Sequence, residues 1–275
     1  MIVPVIGIPF FSQLVEALED QLNRAGFELL LADSHGFVEE EVRRLRVFGD
    51  RRVDGILVIP SDRIGSAEAL RRVARGTAIV EVDRATDSPV ADFVGVDNET
   101  GMRLVIDHLK DIGVRSIGYA GSDDASSNGV ERWDAVQRSS TRAGIEVTGH
   151  FRSEFSVESG VAAVDRLLDH QTLPDAIVTG SDSIAFGVLR QLRQRGVAVP
   201  NDVVVTGFDG SDLANVVWPT LTTVVQPVEA IAADAVAFLV ARIEGQDGPV
   251  RRNRLTPSLR LGESTRRGPG AAEVV

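Results

Sequence analysis

The sequence predicts an α/β protein built on parallel sheets, and three observations support that prediction. Short apolar runs rich in valine and isoleucine alternate with longer amphipathic stretches along almost the whole chain. Residues 53–60, VDGILVIP, are almost continuously apolar, which is typical of a parallel strand covered on both faces. The length of 275 residues is enough for about two lobes. Repeated strand–helix–strand units of this kind indicate a doubly wound architecture.

The first part of the chain is expected to supply one set of these units. Strands are predicted at residues 2–6, 27–32, 53–60, 78–82 and 93–96, and helices at residues 11–25, 39–50 and 66–75. The first helix is the clearest, because apolar residues recur on one face and Gly26 follows as a stop signal. The apolar positions are Leu14, Ala17, Leu18 and Leu22.

The alternation then restarts. Helices are predicted at residues 99–112, 130–143, 157–170, 183–195 and 228–244. Strands are predicted at residues 116–120, 149–152, 176–180, 203–205, 221–225 and 251–261. The Gly/Ala-rich end of the chain, residues 266–275, is expected to be a flexible tail.

The stretch from Asp202 to Val228 organises the rest of the chain. Residues 203–205, VVV, predict a buried strand, and residues 207–210, GFDG, predict a turn that holds Asp209 at the carboxyl end of that strand. In an open α/β sheet this is the edge where ligands bind. Pro227 lacks an amide hydrogen and fixes φ, so it is expected to end the strand at 221–225.

The composition excludes several classes of function. Twenty-nine basic against 40 acidic residues give a net charge of −11, so the chain is not expected to bind nucleic acid through bulk electrostatics. With no cysteine, it has no disulfide, thiolate nucleophile or cysteine-based zinc site. No apolar run approaches the roughly 20 residues of a membrane span, and no signal peptide is evident. A soluble cytoplasmic protein without membrane partners is therefore expected.

Catalytic patterns are also missing. The four histidines form no HExxH motif, and the sequence contains no GxSxG, GxGxxG or P-loop pattern. The only lysine, Lys110, is predicted on a solvated helix face rather than in a phosphate or Schiff-base site. We therefore expect no enzymatic activity, no cofactor and no metal site.

Two segments carry a resemblance to a known family. GFDGSDLA at 207–214 and WPTLTTVVQPV at 218–228 are similar to the signature of the lactose-repressor (LacI/GalR) family of bacterial transcriptional regulators. Further segments match in order across nearly all of residues 1–265: PFF at 9–11, RRVDGILVIP at 51–60, VDR at 82–84, VGVDNETG at 94–101, ER at 131–132, EF at 154–155 and LTPSLRLGEST at 255–265.

The resemblance implies the type I periplasmic-binding-protein fold, in which two Rossmann-like lobes are joined by three crossings. The N-terminal lobe would comprise residues 1–97 and 227–254, and the C-terminal lobe residues 98–226 and 255–265. A ligand would lie in the cleft between the lobes. The family's helix-turn-helix head normally precedes the first strand, so the DNA-binding head is expected to be absent from this chain.

The resemblance also implies ligand-binding residues, and each has a structural alternative. The aromatic candidates Phe10, Phe11 and Phe155 suit the apolar face of a sugar or a nucleobase, but they could instead fill the core. Asp83 and Arg84 combine hydrogen-bond acceptors and donors that suit a polyol, and their alternative is a surface ion pair.

Arg132 and Asp209 match positions that grip the effector, with mutual structural pairing as the alternative. Gln226 is expected at a crossing, where its amide would bond to ligand or hinge backbone. Ser181 and Asp182 complete the candidate set. Three positions depart from the family pattern: Ile8, Ser181 and Ala135. The first two suggest fewer polar contacts, which puts in question which sugar binds and whether the ligand is a sugar.

The function implied is the ligand-sensing and dimerisation core of a LacI-type regulator. A sugar-like effector would bias the angle between the lobes and so the spacing of two DNA-binding heads on an operator. We expect a homodimer, with operator DNA bound only through the missing head. The alternatives are a periplasmic sugar-binding protein that serves a transporter and, third, a sugar-processing enzyme.

Overall fold

The computed structural model describes residues 1–168 and 173–266, and it confirms the predicted α/β class. The described chain forms two compact units. Unit 1 comprises Met1–Asp97, Asp124–Asn128 and Pro227–Thr256, and unit 2 comprises Asn98–Asp123, Gly129–Gln226 and the described residues from Pro257 onward.

The elements of unit 1 are β1 (Ile2–Val3), α1 (Pro9–Arg24), β2 (Ala32–Asp33), α2 (Val38–Asp50), β3 (Gly55–Val58), α3 (Gly65–Val73), β4 (Ala78–Val82), β5 (Asp92–Val96), α8 (Val228–Ile243) and β11 (Arg252–Leu255). Its six strands are all parallel, in the order β11-β5-β4-β3-β1-β2. One face of this sheet packs on apolar residues of α1 and α8, and the other on residues of α2 and α3.

The elements of unit 2 are α4 (Asn98–Asp111), β6 (Ser116–Ser122), α5 (Ser127–Ala143), β7 (Glu146–Ser153), α6 (Val157–Leu168), β8 (Ala176–Thr179), α7 (Asp182–Gln194), β9 (Val204–Asp209), β10 (Thr222–Val225) and β12 (Ser258–Arg260). The first two residues of α5, Ser127 and Asn128, fall in unit 1. The strand order is β12-β10-β9-β8-β6-β7, and only β12 runs antiparallel to its neighbour among the described strands. Short 3₁₀ turns cover Asp212–Asn215 and Glu263–Thr265. Apolar residues of α6 and α7 pack against this sheet.

Two strands of unit 1 are shorter than predicted. The strand expected at 2–6 ends at Val3, because Pro4 has no amide hydrogen and a turn follows it. The strand expected at 27–32 is reduced to Ala32–Asp33, which pair in register with β1. Because β1 is so short, it offers no partner groups along most of residues 27–31.

Two predictions near the end of the chain were also wrong in detail. The GFDG segment is not a turn: β9 runs through it to Asp209, because β10 pairs with it from Thr206 onward. The single strand expected at 251–261 is two strands, separated around Pro257, since β11 pairs with β5 and β12 with β10. Residues 267–275 of the tail predicted at 266–275 lie outside the described residues, as does the predicted helix end at 169–170, which includes His170.

No helix within the described ranges is both long and apolar enough to span a membrane.

Candidate functional site

The most concentrated polar site in unit 2 is built at the carboxyl ends of its parallel strands. Asp209 is the last residue of β9, Gly180 directly follows β8, and Gln226 directly follows β10. The helix α5 brings Arg132 to the same place. Carboxyl ends of neighbouring parallel strands meet at one edge, which explains why residues so far apart in sequence come together.

Arg132 is the centre of this site and is almost completely buried, with 2% of its surface exposed. Its Nε donates to Oδ1 of Asn98 at 2.8 Å, and its Nη1 donates to the carbonyl of Gly180 at 2.7 Å. Nη1 also lies 3.7 Å from Oδ1 of Asp209. A buried charge needs such compensation, because an uncompensated one would be very costly.

Two aromatic rings border the same guanidinium. Its central carbon lies 3.6 Å from the centroid of the Phe208 ring and 5.8 Å from that of Phe155. Phe208 is fully buried, whereas Phe155 is half-buried and packs against the core of unit 2. The site therefore combines a cation, a carboxylate and aromatic faces, which is the chemistry suited to a hydroxylated ring.

Asp209 is held in an unusual backbone conformation. Its φ is +125° and that of Gly210 is +74°. Positive φ is costly for a residue with a side chain and persists only where the surroundings enforce it. The amide of Gln226 donates to Oδ1 of Asp209 at 2.9 Å, so this oxygen has both Gln226 and Arg132 as neighbours.

Asp182 lies beside the residues that follow Asp209 and accepts hydrogen bonds from the protein. Its Oδ2 accepts hydrogen bonds from the backbone N–H of Ser211 at 2.8 Å and from the hydroxyl of Ser211 at 2.9 Å. Its Oδ1 accepts one from the hydroxyl of Thr223 at 2.6 Å. Burial raises the pKa of Asp182 to about 6, against the opposing effect of these bonds and of the charge on Arg260.

Ser181 has a clear local role as the N-cap of α7. Its hydroxyl accepts a hydrogen bond from the backbone N–H of Ile184 at 3.2 Å. This bond satisfies one of the otherwise unpaired amides of the first helical turn. The serine that departs from the family pattern thus starts the helix that carries Asp182.

A second group of candidates lies in unit 1, at the carboxyl end of β4. Asp83 is buried with a φ of +64°, and the amide of Asn128 donates to its Oδ1 at 3.2 Å. The guanidinium of Arg84 lies 5.4 Å from the ring centroid of Phe11, and its Nε lies 3.9 Å from Oδ2 of Asp83. Asp83, Arg84 and Phe11 therefore form one cluster.

The two phenylalanines after β1 both belong to the core of unit 1. Phe10 is 4% exposed and Phe11 is 2% exposed, and their ring centroids are 5.6 Å apart. The core-packing alternative therefore describes Phe10 well, while Phe11 also meets Arg84.

Sequence reasoning missed several residues that complete the site. Asn98 and Asn128 hold Arg132 and Asp83, while Ser211 and Thr223 hold Asp182. Asn98 stands in the VGVDNETG motif and Ser211 in GFDGSDLA. The motifs therefore contained these residues but did not indicate their hydrogen-bond partners, Arg132 and Asp182. Within residues 1–168 and 173–266, no group of three His, Cys, Asp or Glu side chains could hold a metal ion.

Comparisons with known proteins support the family that the sequence motifs indicate. A family model described as a periplasmic binding protein-like domain matches residues 106–265. The HTH-type transcriptional repressor PurR of Photobacterium profundum is 29% identical over 262 residues, which are 94% of this chain and 78% of the repressor. A LacI-type transcription regulator from Bifidobacterium animalis subsp. lactis is 26% identical, with a TM-score of 0.86 over 96% of this chain and 97% of the other.

A further solved structure carries a ligand. The transcriptional regulator CelR, in complex with cellobiose, is 29% identical to this chain with a TM-score of 0.86. The similarity covers 96% of this chain and 83% of CelR.

Proposed function

Because the chain belongs to the periplasmic binding protein-like domain family, as an effector-binding core of the LacI/GalR type, we propose that it senses a sugar or related polyol. In the whole protein the bound effector would control DNA binding by a helix-turn-helix head. Effector and operator affinities are then linked, since each ligand changes the affinity for the other by the same factor.

The observation that supports this proposal most directly is the cluster of buried Arg132 and Asp209 with the half-buried Phe155. A carboxylate accepts from ring hydroxyls, a guanidinium donates to ring oxygens, and an aromatic face covers apolar C–H groups. The cellobiose bound to CelR is a ligand of this chemical class.

We propose that polar and aromatic side chains of this chain contact the effector. The proposed contacts are Phe10, Phe11, Asp83, Arg84, Arg132, Phe155, Ser181, Asp182, Asp209 and Gln226. No step in this function requires a covalent change, and we propose binding without turnover. The similarity to the transcriptional repressor PurR supports a role inside the cell.

The test is a thermal-shift screen of the chain against sugars, sugar phosphates, polyols and nucleosides, repeated on Asp209→Ala. A ligand at 100 times its dissociation constant stabilises the native state by about 2.7 kcal/mol, which is a readable shift. The shift should disappear in Asp209→Ala and persist in Asp165→Ala, where the lost carboxylate lies on α6 and bonds Gln191. A folded protein with no hit in the panel would contradict the sugar-like effector.

The alternative function, a periplasmic sugar-binding protein that serves a transporter, leads to a different expected result. A regulator that carries its DNA-binding head binds an operator fragment, and the effector changes that affinity. Fluorescence anisotropy with labelled operator DNA therefore separates the two functions. Effector binding without any effect on DNA affinity would favour the transport protein.

We also propose a homodimer, with one exposed apolar face of unit 2 as a contact. Val216 is 74% exposed and Trp218 is 79% exposed. Trp218 stands beside a shallow groove whose apolar lining is Phe186, Leu189 and Val217, with Arg190, Arg193 and Gln194 as its polar lining. A two-fold contact needs one self-complementary patch, and a projecting tryptophan beside this groove meets that need.

Sedimentation velocity tests the dimer. Trp218→Ala should shift the chain toward monomer at micromolar concentration. Phe37→Ala is the matched control, because Phe37 is an aromatic residue of unit 1 with 65% of its surface exposed. Wild-type protein that sediments only as monomer would contradict the homodimer itself.

A further inference from the structure

Both carboxylate oxygens of Asp182 accept hydrogen bonds that hold the segment after Asp209. One oxygen accepts both the backbone N–H and the hydroxyl of Ser211, and the other accepts the hydroxyl of Thr223. The same Thr223 oxygen accepts from the backbone N–H of Gly210 at 3.3 Å. The two residues that follow Asp209 are therefore fixed, directly or through Thr223, by one side chain.

This arrangement coincides with backbone strain. Asp209 and Gly210 both have positive φ, and for Asp209 the cost is not relieved by the absence of a Cβ. The strained conformation needs an external constraint, and the bonds from Ser211 and Thr223 to Asp182 supply one. Asp182 is 1% exposed, so water does not compete for these bonds.

The sheet leaves space for this carboxylate. A Cβ on Gly207 would lie 2.2 Å from Oδ1 of Asp182, so only glycine fits at that position of β9. On the other side, Arg260 on β12 donates to the carbonyl of Ser211 at 3.1 Å. Gly207 and Arg260 thus belong to the same constraint as Ser211 and Thr223.

We propose that Asp182 is a positioning residue, which holds the segment 209–211 so that Asp209 faces Arg132, and that its protonation weakens effector binding. The second half of this inference rests on the proposed sugar-sensing function, and the first half does not. This positioning role is separate from the direct contact proposed for Asp182 above, because here Asp182 acts through Asp209.

The pH dependence follows from the charges around Asp182. Burial raises its pKa to about 6, and the hydrogen bonds of Thr223 and Ser211 and the charge of Arg260 oppose that rise. Ser211 and Thr223 carry no titratable group in this pH range. Asp209 is part of the segment 209–211 that Asp182 holds. Hydrogen bonds to a carboxylate are stronger than those to a neutral acid, so the constraint weakens as the pH falls through about 6. Effector affinity should then fall about tenfold between pH 7.5 and 5.0.

The first experiment needs no ligand. Amide hydrogen exchange of Ser211, measured by NMR at one pH, should be at least about tenfold faster in Asp182→Ala than in the wild type. Asp165→Asn is the control for an aspartate elsewhere in unit 2 and should leave the rate unchanged. If Asp182→Ala does not fold, Ser211→Ala removes one of the three bonds, and faster exchange of the residue 211 amide is expected there. An unchanged rate in a folded variant overturns the positioning role.

The second experiment uses the tightest-binding compound from the sugar and polyol panel, starting with cellobiose. Calorimetry at pH 7.5 and 5.0 should show weaker binding at low pH for the wild type and for Asp165→Asn. Asp182→Asn keeps a hydrogen-bonding side chain but cannot titrate, so its affinity should be lower at pH 7.5 and independent of pH. A pH dependence that persists in Asp182→Asn overturns the linkage. If no compound binds, the proposed function fails, and the exchange rate of Ser211 still decides the positioning role.

Discussion

Arg132 and Asp209 face each other inside unit 2, with 3.7 Å between Nη1 and Oδ1. The separation is longer than a direct hydrogen bond, and both side chains also bond other groups of the protein. Effector binding by this pair stays a proposal, with mutual structural pairing as its alternative.

Replacement of Arg132 by methionine should destabilise the chain by about 3–5 kcal/mol, because Asp209 and Asn98 would lose a buried cationic partner. Urea unfolding followed by far-UV circular dichroism measures this loss. Arg138→Met is the matched control on α5, since Arg138 pairs at the surface with Glu99 and should matter little. Equal effects of the two variants would contradict a central role for Arg132.

Replacement of Ser181 by alanine should lower the free energy of unfolding by about 1 kcal/mol, because the first turn of α7 would lose its cap. Asparagine is also a favoured N-cap, so Ser181→Asn should retain the stability of the wild type. Chemical denaturation of the two variants side by side checks the pair. A full loss in Ser181→Asn would show that the serine is needed for something other than capping.

The regular parts of the fold were predictable because periodicity reports burial. β4 was predicted with its observed bounds, since its apolar run is covered on both faces. Where strand pairing decided the outcome, local sequence was misleading: Gly207 indicated a turn, but pairing with β10 carries β9 through it to Asp209. The two-residue β1 shows the opposite case, in which a proline cut short an apolar run.

The site was only partly predictable, for a related reason. Arg132 and Asp209 were identified from motif resemblance, and their role in effector binding stays a prediction. Ser211 and Thr223 were not identified as partners of Asp182, because they lie 29 and 41 residues away along the chain. Hydrogen-bond partners at such separations depend on the tertiary fold, which a single sequence does not specify residue by residue.

Replacement of Gly187 by alanine should destabilise unit 2 by about 1–3 kcal/mol or more, because α6 and α7 approach through their glycines. A Cβ on Gly187 would lie 1.9 Å from the carbonyl oxygen of Val157, and one on Gly160 would lie 2.0 Å from that of Ile184. Thermal and urea unfolding measure the loss.

The control for this substitution is Gly49→Ala in α2. A Cβ at Gly49 meets nothing within 4 Å, and its φ is not positive. Alanine should therefore stabilise the chain there by about 0.5–1 kcal/mol. A neutral effect of Gly187→Ala would mean that the two helices can move apart at little cost.

Glu81 gives the stability of unit 1 a specific pH dependence. Its side chain is fully buried on β4, and Oε1 accepts hydrogen bonds from the backbone and hydroxyl of Thr86. Burial raises its pKa from 4.5 to about 7, against the effect of the Thr86 bonds and of the charge on Arg252, while Glu41 adds to the rise. The unfolded chain holds this proton less tightly than the folded one.

The direction of the pH dependence follows from this difference in the pKa of Glu81 between the folded and the unfolded chain. The contribution of Glu81 is fully present below about pH 4.5 and is lost as the pH rises through about 7, at a cost of about 3 kcal/mol. Glu81→Gln keeps an oxygen for Thr86 and cannot ionise, so its free energy of unfolding should fall less than that of the wild type between pH 5 and 8. Urea unfolding at several pH values measures this slope, with the surface variant Glu68→Gln on α3 as a control that keeps the wild-type slope. Parallel slopes for wild type and Glu81→Gln would mean that Glu81 does not carry the proton.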